Sequence, residues 1–154
     1  MNSMLMRQGT YIAVLLLILT GCGAAQASID TRPVVFEPGR SGAMIESSVR
    51  GDRMVDYVVT GVAGQYMTVD IDSDHSANYF NVMAPGDRDQ AVFTGSSEGR
   101  HFEGALAADG DYTIRVYLMR SAARRDEQAN FTLNIAVTTV DEPVDRGIPV
   151  SGSR

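Results

Sequence analysis

Hydrophobic and polar side chains alternate in several short stretches of the chain, with the two-residue period of a strand that buries one face. The alternation is clearest in residues 112–118, where one face carries Tyr112, Ile114, Val116 and Leu118. Residues 130–138 repeat this pattern. By the same criterion we predict further short strands at residues 43–49, 54–60, 66–71, 78–83, 91–94 and 100–106.

Turn-forming residues separate the predicted strands. Glycine, aspartate and proline recur at roughly ten-residue spacing, as in Pro85-Gly86 and Asp109-Gly110-Asp111. No stretch after the N-terminal apolar run has the helical period. About eight short strands with such turns predict an all-β fold, an antiparallel, jelly-roll-like β-sandwich.

The N-terminus has the pattern of a secretion signal. Arg7 precedes an apolar run at residues 11–19, which is too short to span a bilayer but suits a signal-peptide core. The run leads into Leu19-Thr20-Gly21-Cys22, which resembles a bacterial lipobox, so we expect lipid attachment at Cys22. The alternative is an ordinary signal cleaved after Ala27, with Cys22 discarded.

These features divide the chain into four predicted parts. Residues 1–21 would be a lipoprotein signal peptide and residues 22–40 a lipidated tether. Residues 41–139 would form the β-sandwich domain, and residues 140–154 a disordered tail. Gly23 follows the cysteine, which by resemblance to bacterial lipoproteins points to the outer membrane.

The charge balance limits the partners. The chain has 13 Lys and Arg residues against 19 Asp and Glu residues, a net charge of −6, and every basic residue is Arg. The excess of acidic residues argues against nucleic acid as a partner and against electrostatic binding to anionic lipid. The lipid anchor is therefore the predicted membrane contact. It favours encounter with a basic partner. With one cysteine, the domain is predicted to have no internal disulfide.

Two motifs suggest chemistry but lack the residues that the chemistry needs. Residues 95–99 match the G-x-S-x-G string of serine hydrolases, yet they join two predicted strands and suit a hairpin turn. Asp70, Asp72 and Asp74 resemble the opening of a calcium loop that lacks the glycine and glutamate expected later. They are better explained as the solvent face of a strand, and we expect no metal or cofactor.

A polar segment at residues 119–130 separates the two strongest strands and is longer than a hairpin between them would need. It carries Arg120, Arg124 and Arg125. One interpretation is a helical turn capped by Ser121, in which Arg124 and Arg125 pair with the acidic residues at 126 and 127. The other is a projecting loop whose guanidinium groups bind carboxylates of a partner.

Several stretches resemble the periplasmic inhibitors of g-type and i-type lysozymes. They include Phe36, Ser41-Gly42-Ala43, the Tyr57 strand, Ala63-Gly64-Gln65, Phe80-Asn81-Val82 and above all residues 110–125. A more distant likeness runs to pre-peptidase C-terminal domains. The resemblance implies a β-sandwich that inserts loops into the substrate cleft of a lysozyme, g-type in the first instance.

We therefore expect a monomeric lipoprotein of the bacterial envelope, without enzymatic activity, that faces the periplasm and binds lysozyme. The alternatives are an envelope module that recognises a glycan or a protein, and a hydrolase whose acids meet only in the folded chain. The predicted contact residues are Tyr117, Met119, Arg120, Ser121, Arg124 and Arg125.

Overall fold

Two β-sheets make up most of the computed structural model, which describes residues 28–139. Cys22 and the predicted signal peptide and tail lie outside these residues. Within them no helix is long and apolar enough to cross a lipid bilayer. The elements are β1 (Ile29–Pro33), β2 (Gly42–Arg50), β3 (Met54–Gly61), β4 (Gln65–Ser73), β5 (Asn78–Met83), β6 (Ala91–Thr94), α1 (Gly95–Glu98), β7 (His101–Ala105), β8 (Gly110–Leu118), α2 (Arg120–Ala123) and β9 (Gln128–Thr139).

The strands form one sheet in the order β1-β3-β8-β5-β6 and a second in the order β2-β9-β4-β7. Neighbouring strands run antiparallel, except that β1 pairs with β3 in parallel. The all-β antiparallel sandwich predicted from the alternation is confirmed.

The inward faces of the two sheets meet in a single core. Ile114 and Val116 of β8 are completely buried, as is Leu133 of β9, so the faces predicted for these strands are the observed ones. Tyr57 of β3 and Phe131 of β9 join the two sheets, with ring centroids 6.4 Å apart and nearly perpendicular planes. This edge-to-face packing is a favourable arrangement for aromatic rings.

Strand β1 is absent from the predicted set. All five of its residues are exposed, so it has no alternation for sequence reasoning to detect. It is held by main-chain pairing with β3, from Ile29 opposite Met54 to Pro33 opposite Val58. Residues 29–33 thus form a strand inside the segment predicted as a tether.

The predicted hairpin at residues 95–99 is wrong, because β6 and β7 lie in different sheets, and residues 119–130 likewise join strands of different sheets. Residues 95–98 form the single turn of α1 and carry the chain from β6 to β7. The segment that contains α2 likewise carries it from β8 to β9. Part of its length is therefore needed to cross between sheets.

One end of the sandwich collects four connecting segments. The start of β3 lies beside the end of β8, and Arg50, the last residue of β2, lies opposite Gln128, the first of β9. Because Ile29 pairs with Met54, β1 also begins at this end. We call it the α2 end and define it by residues 51–53, 74–77, 95–100 and 119–127.

Candidate functional site

Helix α2 is a single turn anchored by one small side chain. Ala122 is completely buried, while Arg120 and Ser121 are exposed. The N–H groups of Ala123 and Arg124 donate to the carbonyls of Met119 and Arg120. Met119 occupies the N-cap position, so the cap predicted at Ser121 is wrong.

The structure separates the three arginines of this segment. Arg120 and Arg124 are four residues apart on one helical turn, so their side chains leave the same face. Both are exposed, and neither forms a salt bridge with any residue between 28 and 139. Arg125 instead donates through Nε to Oε1 of Glu127, which confirms one of the two predicted pairs.

The predicted pairing of Arg124 with Asp126 does not occur. Asp126 is bound by Arg50 of β2, whose Nε and Nη2 donate to Oδ2 at 3.1 and 2.7 Å. Asp126 also has a φ of 54°, the only positive φ of a non-glycine residue among those described. The salt bridge thus ties this turn to β2, a link that spacing along the chain does not reveal.

Tyr117 and Met119 lie directly before α2. Tyr117 faces outward from β8 and is half-buried, and its hydroxyl donates to Oδ1 of Asn81 at 3.2 Å. Met119 is 40% exposed, and its N–H donates to the carbonyl of Ala77. Five of the six predicted contact residues therefore lie at the α2 end and Tyr117 lies just before it in β8, although Arg125 is engaged within the chain.

A chain of polar contacts joins three loops of the α2 end. Arg100 donates through Nη2 to the carbonyl of His75 at 2.8 Å, and Nε2 of His75 lies 2.9 Å from Oε2 of Glu127. Nδ1 of His75 accepts from the N–H of Ala77 at 3.1 Å, so the neutral ring carries its proton on Nε2 and donates it to Glu127. The contacts of Arg125, and then of His75, lower the pKa of the Glu127 carboxyl.

Sequence reasoning missed the contacts of His75 and Arg100, because it treated His75 as a solvated surface residue and placed Arg100 only at the start of a predicted strand. The signal that could have found them is weak, because both lie in loops far from α2 along the chain. Their contact with the α2 segment depends on which strand ends meet, and alternation of side chains does not determine this.

Asp70 and Asp72 lie on the outer face of β4 as the strand interpretation predicts, with Val69 and Ile71 buried on the opposite face, whereas Asp74 lies just beyond the end of the strand. Asp70 lies 2.6 Å from Nδ1 of His101, and this hydrogen bond raises the pKa of His101. Asp74 accepts from the N–H and side-chain amide of Asn130, which lowers the pKa of Asp74. No group of three or more metal-ligating side chains is assembled within residues 28–139.

The G-x-S-x-G string is a structural turn in the described part of the chain. Gly95 begins α1 and lies against the backbone of β5, so close that a Cβ atom there would sit 2.3 Å from the carbonyl oxygen of Phe80. The Glu98 carboxylate accepts from the N–H of Thr94. Neither Ser96 nor Ser97 hydrogen-bonds a histidine among the described residues, so the segment lacks a nucleophile and base in contact.

Comparison with solved structures finds proteins of the same fold, among them a relative of substantial sequence identity. No family model matches the sequence, and no curated protein gives a significant match. A PliG from Aeromonas hydrophila, a periplasmic lysozyme inhibitor of g-type lysozyme, is 37% identical, covering 73% of this chain and 100% of its own, with a TM-score of 0.68.

Two further PliG structures share the fold at lower identity. A mutant PliG from Escherichia coli is 22% identical, covering 73% of this chain and 100% of its own, with a TM-score of 0.56. The PliG of Salmonella Typhimurium is 20% identical, covering 71% and 98%, also with a TM-score of 0.56. The Aeromonas likeness confirms the resemblance found in the sequence, and the chain belongs to the PliG family of periplasmic lysozyme inhibitors of g-type lysozyme.

Proposed function

We propose that this protein binds and inhibits a g-type lysozyme by inserting the α2 segment into the substrate cleft of the enzyme. The observation that carries the proposal is the parallel pair Arg120 and Arg124, exposed on one helical turn without a carboxylate partner within residues 28–139. Family membership supports lysozyme as the partner.

The chemistry of the target suits this pair. Enzymes that hydrolyse glycosidic bonds place two carboxyl groups on either side of the bond that they cut. A guanidinium group binds a carboxylate through two parallel hydrogen bonds, a geometry that lysine cannot provide. Two guanidinium groups leaving one face of α2 could therefore occupy such a cleft and neutralise its acidic groups.

The α2 segment is also held ready for binding. The Arg50 salt bridge to Asp126 and the His75 contact with Glu127 fasten the turn after α2 to the end of β2 and to the loop between β4 and β5. A segment that is already ordered loses less conformational entropy on binding, so more of the contact energy becomes affinity.

The proposed location is the bacterial envelope, facing the periplasm. The lipobox-like residues 19–22 support export and attachment of lipid to Cys22, with the outer membrane as the destination. The related structures are described as periplasmic inhibitors. We propose a monomer that acts without catalysis.

The test is a titration of lysozyme activity on bacterial cell walls, with g-, i- and c-type enzymes in parallel. Unaltered protein is expected to inhibit the g-type enzyme near one-to-one. Arg120→Ala and Arg124→Ala should each weaken inhibition by about two to four orders of magnitude, because breaking a buried charged pair costs about 3–5 kcal/mol. The thermal midpoint should hardly change, since exposed loop charges contribute little to stability.

Arg40→Ala is the matched control. Arg40 is exposed and pairs with Glu37, and it precedes β2 at the opposite end of the sandwich. Unchanged inhibition by Arg120→Ala and Arg124→Ala would contradict the proposed site. No inhibition of any lysozyme by the unaltered protein would contradict the function and leave the glycan-binding or protein-binding module in its place.

A further inference from the structure

Two tyrosines form a pair on the outer face of the five-stranded sheet. Tyr79 of β5 lies directly opposite Tyr117 of β8. Both are half-buried, whereas Phe80 and Val116, their neighbours on the inward face, are completely buried. The tyrosine pair therefore presents aromatic surface outward, next to the residues that lead into α2.

A cation lies over one ring of this pair, that of Tyr79. The guanidinium carbon of Arg100 is 5.5 Å from the ring centroid of Tyr79, within the range of a cation–π interaction. Its Nη2 donates to the carbonyl of His75, which holds the group in place. Arg100 forms no salt bridge with the residues described, whereas Arg115 on the same face is paired with Asp56 at 2.7 Å.

Two hydrogen bonds hold Tyr117, one at its hydroxyl and one at its main-chain carbonyl. Asn81 accepts from the hydroxyl of Tyr117 at 3.2 Å, and the buried amide of Asn78 donates to the carbonyl of Tyr117 at 2.9 Å. Rigid aromatic side chains lose little entropy on binding. Met119, two residues further along, is exposed and extends the apolar surface to α2.

The outer face of the other sheet has a different character. Its counterpart aromatic, Tyr66 of β4, donates to the carboxylate of Glu103 at 3.3 Å. Asp70 and Asp72 follow on the same face of β4. That face combines its tyrosine with acidic groups, whereas the face beside α2 combines two tyrosines with an arginine that has no carboxylate partner within residues 28–139.

We infer that the lysozyme contact extends from α2 onto a platform made of Tyr79, Arg100 and Tyr117. Tyrosine and arginine are the residues that most often dominate the binding energy of protein interfaces, especially where they are already fixed in place. The platform would lie against the rim of the enzyme cleft while α2 enters it. This inference rests on the proposed function and adds Tyr79 and Arg100 to the contact.

The test measures dissociation of the full chain from a g-type lysozyme, by surface plasmon resonance, for Tyr79→Ala and Arg100→Ala. Each substitution is expected to raise Kd about tenfold or more, chiefly through faster dissociation. Tyr66→Ala and Arg40→Ala are matched controls, a tyrosine on the opposite face and an arginine at the opposite end, and should leave Kd unchanged.

Two further measurements distinguish a lost contact from a loss of folding. They are the Kd of Arg100→Gln and the thermal midpoint of every variant. Arg100→Gln removes the charge and keeps a shorter polar donor, so a raised Kd with an unchanged midpoint supports the inference. If Arg120→Ala raises Kd while the platform variants bind like the unaltered chain, the contact ends at α2 and the inference is overturned. Absence of binding by the unaltered chain overturns both the function and this inference.

Discussion

At the scale of single residues, the turn after α2 depends on a glycine in another loop. Gly51 has a φ of 59° and donates its N–H to the carbonyl of Glu127. A Cβ atom at this position would lie 2.8 Å from Oδ1 of Asp126, itself at a positive φ. Gly51 and Asp126, both in the left-handed backbone conformation, therefore face each other, and only Asp126 has room for a side chain.

We expect Gly51→Ala to lower the free energy of unfolding by about 1–2 kcal/mol, the cost of a left-handed conformation for a residue with a Cβ atom. Because the new methyl group would also displace Asp126 from Arg50, inhibition of lysozyme should weaken. Urea unfolding and the cell-wall assay measure the two effects.

Gly64→Ala provides the comparison for this substitution. Gly64 has a φ of 86°, but nothing lies within 4 Å of the place where its Cβ would be. It should lose similar stability and inhibit normally. If both variants inhibit equally well, the position of Asp126 has no part in binding.

The arginines of the α2 segment show which contacts can be predicted from the sequence. The three arginines of the α2 segment are visible in the sequence, and an i,i+4 spacing on a helical turn is enough to place Arg120 and Arg124 together. Which arginine is engaged is not visible, because the partner of Asp126 is Arg50, 76 positions away along the chain. The spacing of residues along the chain predicts ion pairs between near neighbours but not between residues that are distant in sequence.

At the scale of elements, Glu127 fastens the α2 segment to the loop between β4 and β5. Its folded pKa lies below the ordinary value of 4.5, so its stabilising contribution is present above that value and is lost as the pH falls through the lowered pKa. We expect amides of residues 119–127 to lose hydrogen-exchange protection below about pH 4.5 while the strands keep theirs.

Glu127→Gln should show reduced protection of this segment already at neutral pH, because the charged hydrogen bonds to Arg125 and His75 are removed. Glu103→Gln, on the outer face of the other sheet, is the control and should leave the segment unaffected. Equal protection of the α2 segment in both variants would show that Glu127 does not fasten it.

Strand positions were more predictable than strand neighbours. Eight of the nine strands have a short apolar run or alternate side chains that are buried or partly buried, and their positions follow from that pattern. β1 was missed because its side chains are all exposed and main-chain pairing leaves no periodic signal. The separation of β8 and β9 into different sheets was missed because alternation says which face is buried, not which strand lies alongside.

At the scale of the whole molecule, the two termini of the described chain leave from opposite ends. β9 finishes at Thr139, which lies opposite Gln65 at the start of β4, away from α2. β1 begins beside the start of β3, at the α2 end. A chain held through its N-terminus is therefore held by the end that carries Arg120 and Arg124.

This orientation has a consequence for anchoring. Cys22 precedes Ser28 by six residues, which reach at most about 20 Å when fully extended. If the lipid is attached at Cys22, the α2 end stays within that distance of the bilayer, too near for a folded enzyme to enter freely between them. Lipidated protein in vesicles should inhibit lysozyme less, molecule for molecule, than a soluble Cys22→Ser form.

A longer link between Cys22 and Ser28 should remove the difference in inhibition between the anchored and the soluble forms. A flexible Gly/Ser insert of about 20 residues placed between Cys22 and Ser28 should raise inhibition by the vesicle-bound form to that of the soluble one. Equal inhibition by the anchored and soluble forms without any insert would contradict this expectation. Because β1 begins at the α2 end, we expect lipid attachment at Cys22 to restrict inhibition near the membrane surface. Cleavage after Ala27 would instead release the inhibitor into the surrounding space.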